Sequence, residues 1–141
     1  MFKSIIALLA LSSSLPVATD PSSAKFVGAI SQKNYVIARE LSGDIATLND
    51  DAASDPERKT VPFDAIIAWT EGCKVSPAMS KQHDGFYDLW WNCGVTIRSG
   101  GEKWRTMVRV FVIPNGEKVV LTNLMKPSFP DRTSTPALQR E

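Results

Sequence analysis

The stretch from Phe86 to Met125, FYDLWWNCGVTIRSGGEKWRTMVRVFVIPNGEKVVLTNLM, decides the fold of this chain. Apolar residues recur at every second position in three runs, and glycine-containing turns separate the runs. That period is typical of β-strands, because successive side chains of a strand point to opposite faces. Glycine supplies the positive φ that tight antiparallel hairpins need. We therefore predict strands over Phe86 to Arg98, Trp104 to Ile113 and Glu117 to Met125, joined as a meander.

A fourth strand, Cys73 to Ser80, is predicted to precede this meander and to pair with it across a turn centred on His83. That register gives the pairs Met79 with Tyr87, Val75 with Trp91 and Cys73 with Cys93. Two-residue loops at Gly100-Gly101 and Asn115-Gly116 extend the register to the last two strands. The pairs expected there are Trp91 with Val110, Ile97 with Trp104 and Val112 with Val119.

The three turns together assign the side chains to two faces of the sheet. A slip of one residue would exchange the faces, so the agreement of turns and apolar positions fixes the assignment. We expect helices to cover the apolar face, which carries Tyr87, Leu89, Trp91, Val108, Val110, Val112 and Leu121. The opposite face is mixed and carries Asp88, Trp90, Asn92, Arg105, Met107, Arg109, Phe111, Val120, Thr122 and Leu124.

The first half of the chain has the three- and four-residue apolar period of helices. From Lys25 to Leu48 this period predicts one helix that ends at Gly43-Asp44 and a short second helix after it. Asn49 to Thr60 is a polar connection, and its acidic residues lack the spacing of a calcium loop. Phe63 to Glu71 is predicted to be a short helix that stops at Gly72, although its apolar run would also fit a strand.

The N-terminus has the pattern of an export signal. Lys3 precedes an apolar run from Ile5 to Leu11, which is far shorter than the roughly 20 residues of a membrane-spanning helix. Small residues follow, and we place cleavage after Ala24, with cleavage near Ala18 or Thr19 as the competing site. A helix retained in the mature domain is the alternative. The predicted organisation is a signal peptide over 1–24, one α+β domain over 25–126 and a disordered tail over 127–141.

Cys73 and Cys93 are the only cysteines, and export would place them in an oxidising compartment. We predict one disulfide between them, with two free buried thiols as the alternative. With His83 they make three candidate ligands, whereas closed structural zinc sites use four. We therefore predict no metal.

Composition and motifs exclude several classes of function. The 141 residues carry a formal net charge of +1, which gives no field for nucleic acid or an anionic membrane. Phosphate-binding, nucleophile-elbow and zinc-protease motifs are absent from the sequence. The single His83 falls in a predicted turn, where exposure would make it a poor base, so we assign no catalytic residue and no cofactor.

The mixed face carries the candidate binding residues, which are Trp90, Arg109, Phe111, Asp88 and Asn92. Aromatic residues beside arginine are typical of protein interfaces. Base stacking also uses aromatics on a sheet, but the neutral net charge argues against nucleic acid. The alternative is that the C-terminal segment from Pro127 or the N-terminal arm folds over these side chains.

Helices followed by a curved four-stranded antiparallel meander resemble the NTF2-like (SnoaL-like) superfamily, a cystatin-like cone. The run from Tyr35 to Leu48, with Gly43-Asp44 inside it, is similar to the opening of that superfamily. The resemblance implies a pocket between helices and sheet and dimerisation through the outer sheet face. Family enzymes place Asp, His or Arg in the pocket, but the apolar face here has no titratable pair.

These observations lead to three functional hypotheses for a periplasmic or secreted protein. The first is a non-enzymatic binding domain whose partner is a second copy or another protein. A small apolar molecule is a further candidate ligand for this domain. The second is a pocket enzyme, an isomerase or hydrolase using Asp88 and Arg109, which requires the sheet faces to be reversed. The third is an envelope accessory protein or inhibitor that uses the hairpin tips His83-Asp84 and Asn115-Gly116.

Overall fold

The computed structural model describes residues 15–49 and 59–131, which form one mixed sheet with helices on one side. The helices in these ranges are α1 (Pro21–Ser31), α2 (Tyr35–Ser42) and α3 (Phe63–Trp69). The strands are β1 (Ile45–Leu48), β2 (Thr60–Pro62), β3 (Lys74–Val75), β4 (Lys81–His83), β5 (Phe86–Ile97), β6 (Lys103–Asn115), β7 (Lys118–Met125) and β8 (Ser128–Pro130).

The α+β class agrees with the prediction, but the four-stranded antiparallel meander is wrong. Within the described residues the sheet has eight strands in the order β2-β1-β7-β6-β5-β3, with β4 beside β5 and β8 beside β6. Strand β1 runs parallel to β7 and antiparallel to β2, so the sheet is mixed. The meander of β5, β6 and β7 lies inside this larger sheet, and both of its edges are extended.

Strand β1 occupies the place where a short second helix was predicted. Gly43 has φ +74°, which ends α2, and only Asp44 and the four residues of β1 follow before the chain leaves the sheet. A helix this short gains little, because its first turn fixes several residues for one hydrogen bond. Pairing with β7 and β2 instead gives the backbone hydrogen-bond partners on both sides, and Ala46 is fully buried.

Within the predicted first strand, Cys73 to Ser80, only β3 is a strand. A turn closed by a hydrogen bond from the Ser80 amide to the Ser76 carbonyl follows it, and β4 begins after this turn at Lys81. Val75 lies opposite Trp91, as predicted. The hairpin itself closes at Asp84-Gly85, so that Gln82 rather than Met79 lies opposite Tyr87.

The other two hairpins are shifted by an even number of residues from the prediction. Trp91 lies opposite Val108, and Val112 lies opposite Leu121. A shift of two preserves the faces, whereas a shift of one would exchange them. Near the β5–β6 turn, Ile97 pairs with Lys103 rather than with Trp104 because a bulge after Asn92 changes the register.

The face predicted to receive the helices is the one that does so. Its side chains are almost fully buried and belong to one cluster with helix residues Phe26, Ile30, Ala38, Phe63 and Ile66. Leu124, expected on the other face, also lies in this cluster. Asn123 has φ +56°, and the irregular register of β6 and β7 at this point turns Leu124 inward.

The predicted disulfide between Cys73 and Cys93 is confirmed, with a Cα–Cα distance of 4.2 Å. It ties the segment after α3 to the middle of β5. A crosslink across a sequence separation of 20 residues contributes about 3 kcal/mol in the chain-entropy description.

The described range also reaches into both predicted terminal segments. Ser128–Pro130, expected to open a disordered tail, forms β8 and continues the line of β7 along β6. Residues 132–141 of that tail and 1–14 of the predicted signal peptide lie outside the described residues. No helix within 15–49 and 59–131 combines the length and hydropathy needed to cross a membrane.

Candidate interaction face

The central strands β5 and β6 bring the predicted binding residues together on the face away from the helices. Asp88 lies opposite Phe111, Trp90 opposite Arg109, and Asn92 opposite Met107. Their neighbours along each strand point into the helix-covered core. We call Asp88, Trp90, Arg109 and Phe111, together with His83 and Phe86, the outer-face cluster.

An ion pair between Asp88 and Arg109 is the centre of the outer-face cluster. Arg109 Nε donates to Asp88 Oδ1 and Arg109 Nη2 donates to Asp88 Oδ2, each at 2.8 Å. The Asp88 side chain is only 7% exposed, and the Arg109 side chain is 28% exposed. A buried carboxylate needs a charged, hydrogen-bonded partner, and the two parallel bonds from one guanidinium meet that need.

Aromatic rings hold the guanidinium of Arg109 on two sides. Its central carbon lies 4.8 Å from the centroid of the Trp90 ring and 4.7 Å from that of Phe111. Both distances are within the range of cation–π attraction, which the low exposure of the site strengthens. Arg109 is therefore fixed in position before any partner binds.

His83, predicted to lie in an exposed turn, joins this cluster. Its Nε2 lies 3.7 Å from Asp88 Oδ2, and its ring stacks on Phe86 with centroids 4.8 Å apart. Phe86 in turn lies 4.5 Å from Phe111. A turn centred on His83 would have pointed it to solvent. The Asp84-Gly85 dipeptide, a strong signal for a two-residue hairpin loop, places it in β4 instead.

Trp90 and Asn92 are less accessible than the prediction of an exposed strip requires. Trp90 is 7% exposed, and Phe129 of β8 lies beside it with ring centroids 6.4 Å apart. The Asn92 side chain accepts a hydrogen bond of 2.9 Å from Arg105 Nη1. Part of the C-terminal segment therefore covers this end of the face, as the alternative interpretation proposed.

The accessible apolar surface of this face lies around the outer-face cluster. Val120 of β7 and Phe129 of β8 are 40% and 43% exposed. Val120 lies beside Ile113, two residues along β6 from Phe111. A rigid arginine, the buried Trp90 and the half-buried Phe111 are thus flanked by exposed apolar side chains.

The site offers little support for the pocket-enzyme hypothesis. That hypothesis needs Trp90, Phe111 and Met107 in a cavity under the helices, but the helices cover the opposite face. The space between helices and sheet is filled by side chains such as Tyr87, Leu89 and Phe26, all fully buried. Among the described residues, no group of three or more His, Cys, Asp or Glu side chains could hold a metal ion.

The two hairpin tips named in the third hypothesis lie at the same end of the sheet. The β4–β5 turn precedes Phe86 at the start of β5, and the β6–β7 turn follows Asn115 at the end of β6. These two strands are antiparallel, so their opposite ends meet. A role for the tips in inhibition stays a prediction.

Comparisons with known proteins add no relative: no family model matches the chain, and neither the curated proteins nor the solved structures give a match. The NTF2-like relationship therefore stays a prediction based on the order of elements.

Proposed function

We propose that this protein is an exported, non-enzymatic domain that binds a second copy of itself through the outer sheet face. The observation that carries the proposal is Arg109, held by a buried carboxylate and two aromatic rings on a face without helices. Interfaces concentrate aromatic and arginine side chains in this way, and a side chain that is already fixed loses little freedom on binding. The Cys73–Cys93 disulfide supports an oxidising compartment.

Exposed side chains at the border of the outer-face cluster would supply the apolar part of the contact between the two copies. Val120 and Phe129 flank the cluster and point to the same side of the sheet as Arg109 and Phe111. A polar centre with apolar neighbours is unlike a purely solvated sheet surface, which would carry alternating polar residues only. Burying both side chains would contribute to association because apolar surface leaves water.

A second copy is the occupant that fits the charges best. The chain has a net charge of +1, and Asp88 already neutralises Arg109, so neither the whole molecule nor the cluster selects a strongly charged partner. Two identical sheets can pack face to face about a twofold axis, which brings the same patch from each copy together. A stable contact of this kind buries about 1,200–2,000 Å² in total.

Sedimentation velocity over a range of concentrations tests the proposal. Val120→Ser combined with Phe129→Ser should shift the protein from dimer to monomer. The matched control is Val36→Ser with Ile37→Ser on α2, because these residues are 72% and 43% exposed on the helix side. The control should associate like the unchanged chain. The proposal would be contradicted if the two double variants had the same sedimentation behaviour, or if the unchanged chain stayed monomeric at high concentration.

A further inference from the structure

The segment from Leu15 to Ala24, inside the predicted signal peptide, is built into the folded domain. The Tyr87 hydroxyl donates a hydrogen bond of 2.7 Å to the carbonyl oxygen of Pro16. The Thr19 amide donates one of 3.0 Å to Gln82 Oε1. Leu15 and Ala18 pack against the hydrophobic core. These contacts join the segment to the sheet and to the core of the folded domain.

The start of α1 depends on the same segment. The Asp20 carboxylate accepts hydrogen bonds from the amides of Ser22 and Ser23 at 3.0 and 3.3 Å, and one from the Ser22 hydroxyl. Pro21 then opens the helix at a position where its missing amide proton is not needed. Ser22 and Ser23 are 4% and 1% exposed. Asp20 is thus the N-cap of α1.

Cleavage after Ala24 would remove this cap and the first turn of an 11-residue helix. The remainder of α1 carries Phe26, Val27 and Ile30, which are central to the core. A helix without its cap exposes unpaired amides next to buried side chains, and seven residues are too few to hold a helix without packing. Such a cut would therefore discard residues that stabilise the folded domain.

We propose that export processing hydrolyses the Ser14–Leu15 peptide bond, so that the mature chain begins at Leu15. The inference rests on the export part of the proposed function and is independent of dimerisation. Water adds across the bond, leaving a carboxylate on Ser14 and an amine on Leu15. Ser12 and Ser14 then occupy the third and first positions before the cut, where leader peptidases accept small residues. The apolar run from Ile5 to Leu11 lies directly upstream.

Intact-mass measurement of the full chain after export tests the assignment. The expected N-terminus is Leu15. Protein that begins at Lys25 or Thr19 would overturn it, and so would exported protein that retains Met1. Sedimentation of the same sample reports dimerisation separately, so failure of the cleavage assignment and failure of the proposed function are distinguishable.

A pair of leader variants sharpens the test. Ser14→Leu places a large residue next to the proposed bond and should block processing, so that the precursor accumulates. Ala24→Leu is the control, because Ala24 is exposed on α1 and leucine suits a helix. It should be processed like the unchanged chain. Blocked processing of Ala24→Leu with normal processing of Ser14→Leu would overturn the proposal.

Thermal unfolding measures how much the segment from Leu15 to Ala24 contributes to the stability of the fold. Tyr87→Phe removes only the hydroxyl that reaches Pro16, and it should lower the melting temperature of a chain beginning at Leu15 by about 3–8 °C. A chain beginning at Lys25 should melt far lower or fail to fold. Equal melting temperatures for the Leu15 and Lys25 chains would overturn the proposal.

Discussion

Replacing Arg109 by methionine tests whether the ion pair is a fixed part of the sheet. Arg109→Met keeps most of the apolar stem but removes both 2.8 Å hydrogen bonds to Asp88. The carboxylate, 7% exposed, would then lack its counter-charge, while His83 remains 3.7 Å away. Breaking a fully buried pair costs about 3–5 kcal/mol.

The partial exposure of the Arg109 side chain, 28%, lowers this figure because water can enter the space it leaves. We therefore expect Arg109→Met to reduce the free energy of unfolding by about 2–3 kcal/mol. Urea unfolding followed by tryptophan fluorescence measures this free energy directly, since Trp90 contacts the pair. Arg109→Lys should recover only part of the loss, because lysine cannot make two parallel bonds.

The double variant Asp88→Leu with Arg109→Met is the control for this experiment. Replacing both partners by apolar residues removes the unpaired charge, so its stability should lie within about 1 kcal/mol of the unchanged chain. The single Arg109→Met variant should then be less stable than the double variant. A single variant that unfolds at the same urea concentration as the unchanged chain would refute the inference that the pair is buried and structural.

Three further predictions concern stability. Native protein should show no titratable thiols, and Cys73→Ala with Cys93→Ala should lower the free energy of unfolding by about 3 kcal/mol in urea titrations. The Ser22 hydroxyl holds the pKa of Asp20 below its ordinary value of 3.8. This stabilisation is present above pH 3.8 and lost as pH falls through the lower folded value, so acid melts of Asp20→Asn should lack that part of the pH dependence. Burial raises the pKa of Tyr87 to about 12. Stability should therefore fall as pH rises from 10 to about 12, and alkaline melts of Tyr87→Phe should lack this loss.

The alternating pattern between Phe86 and Met125 was enough to predict the central strands and their faces. The disulfide was predicted from a single pair of cysteines in a chain with an export signal. Apart from Leu124, the face assignment is correct even though two hairpins are shifted, because both shifts are even and preserve which residues share a face. Strand β1 could not be found in this way. Ile45–Leu48 is a short apolar run after a helix, and its state depends on a distant partner, β7.

The sequence predicted four members of the outer-face cluster, Asp88, Trp90, Arg109 and Phe111, but neither His83 and Phe86 nor the low accessibility of Trp90. Alternation predicted that Asp88, Trp90 and Arg109 share one face of the sheet, whereas the pairing of Trp90 with Arg109 depends on the observed register. The burial of Trp90 depends on Phe129, which lies in a proline-containing segment without strand signals. The position of His83 depends on which residues form the hairpin loop: a loop at Asp84-Gly85 shifts the pairing by three residues, so that Gln82 instead of Met79 lies opposite Tyr87.

Methyl NMR of Val120 and Val36 across a dilution series tests association through the outer sheet face most directly. Both valines are exposed, at 40% and 72%, but Val120 borders the outer-face cluster and Val36 lies on α2. Self-association through this face predicts that the Val120 methyl signals shift with protein concentration while those of Val36 stay constant. Concentration-independent Val120 signals, or shifts confined to Val36, would contradict it.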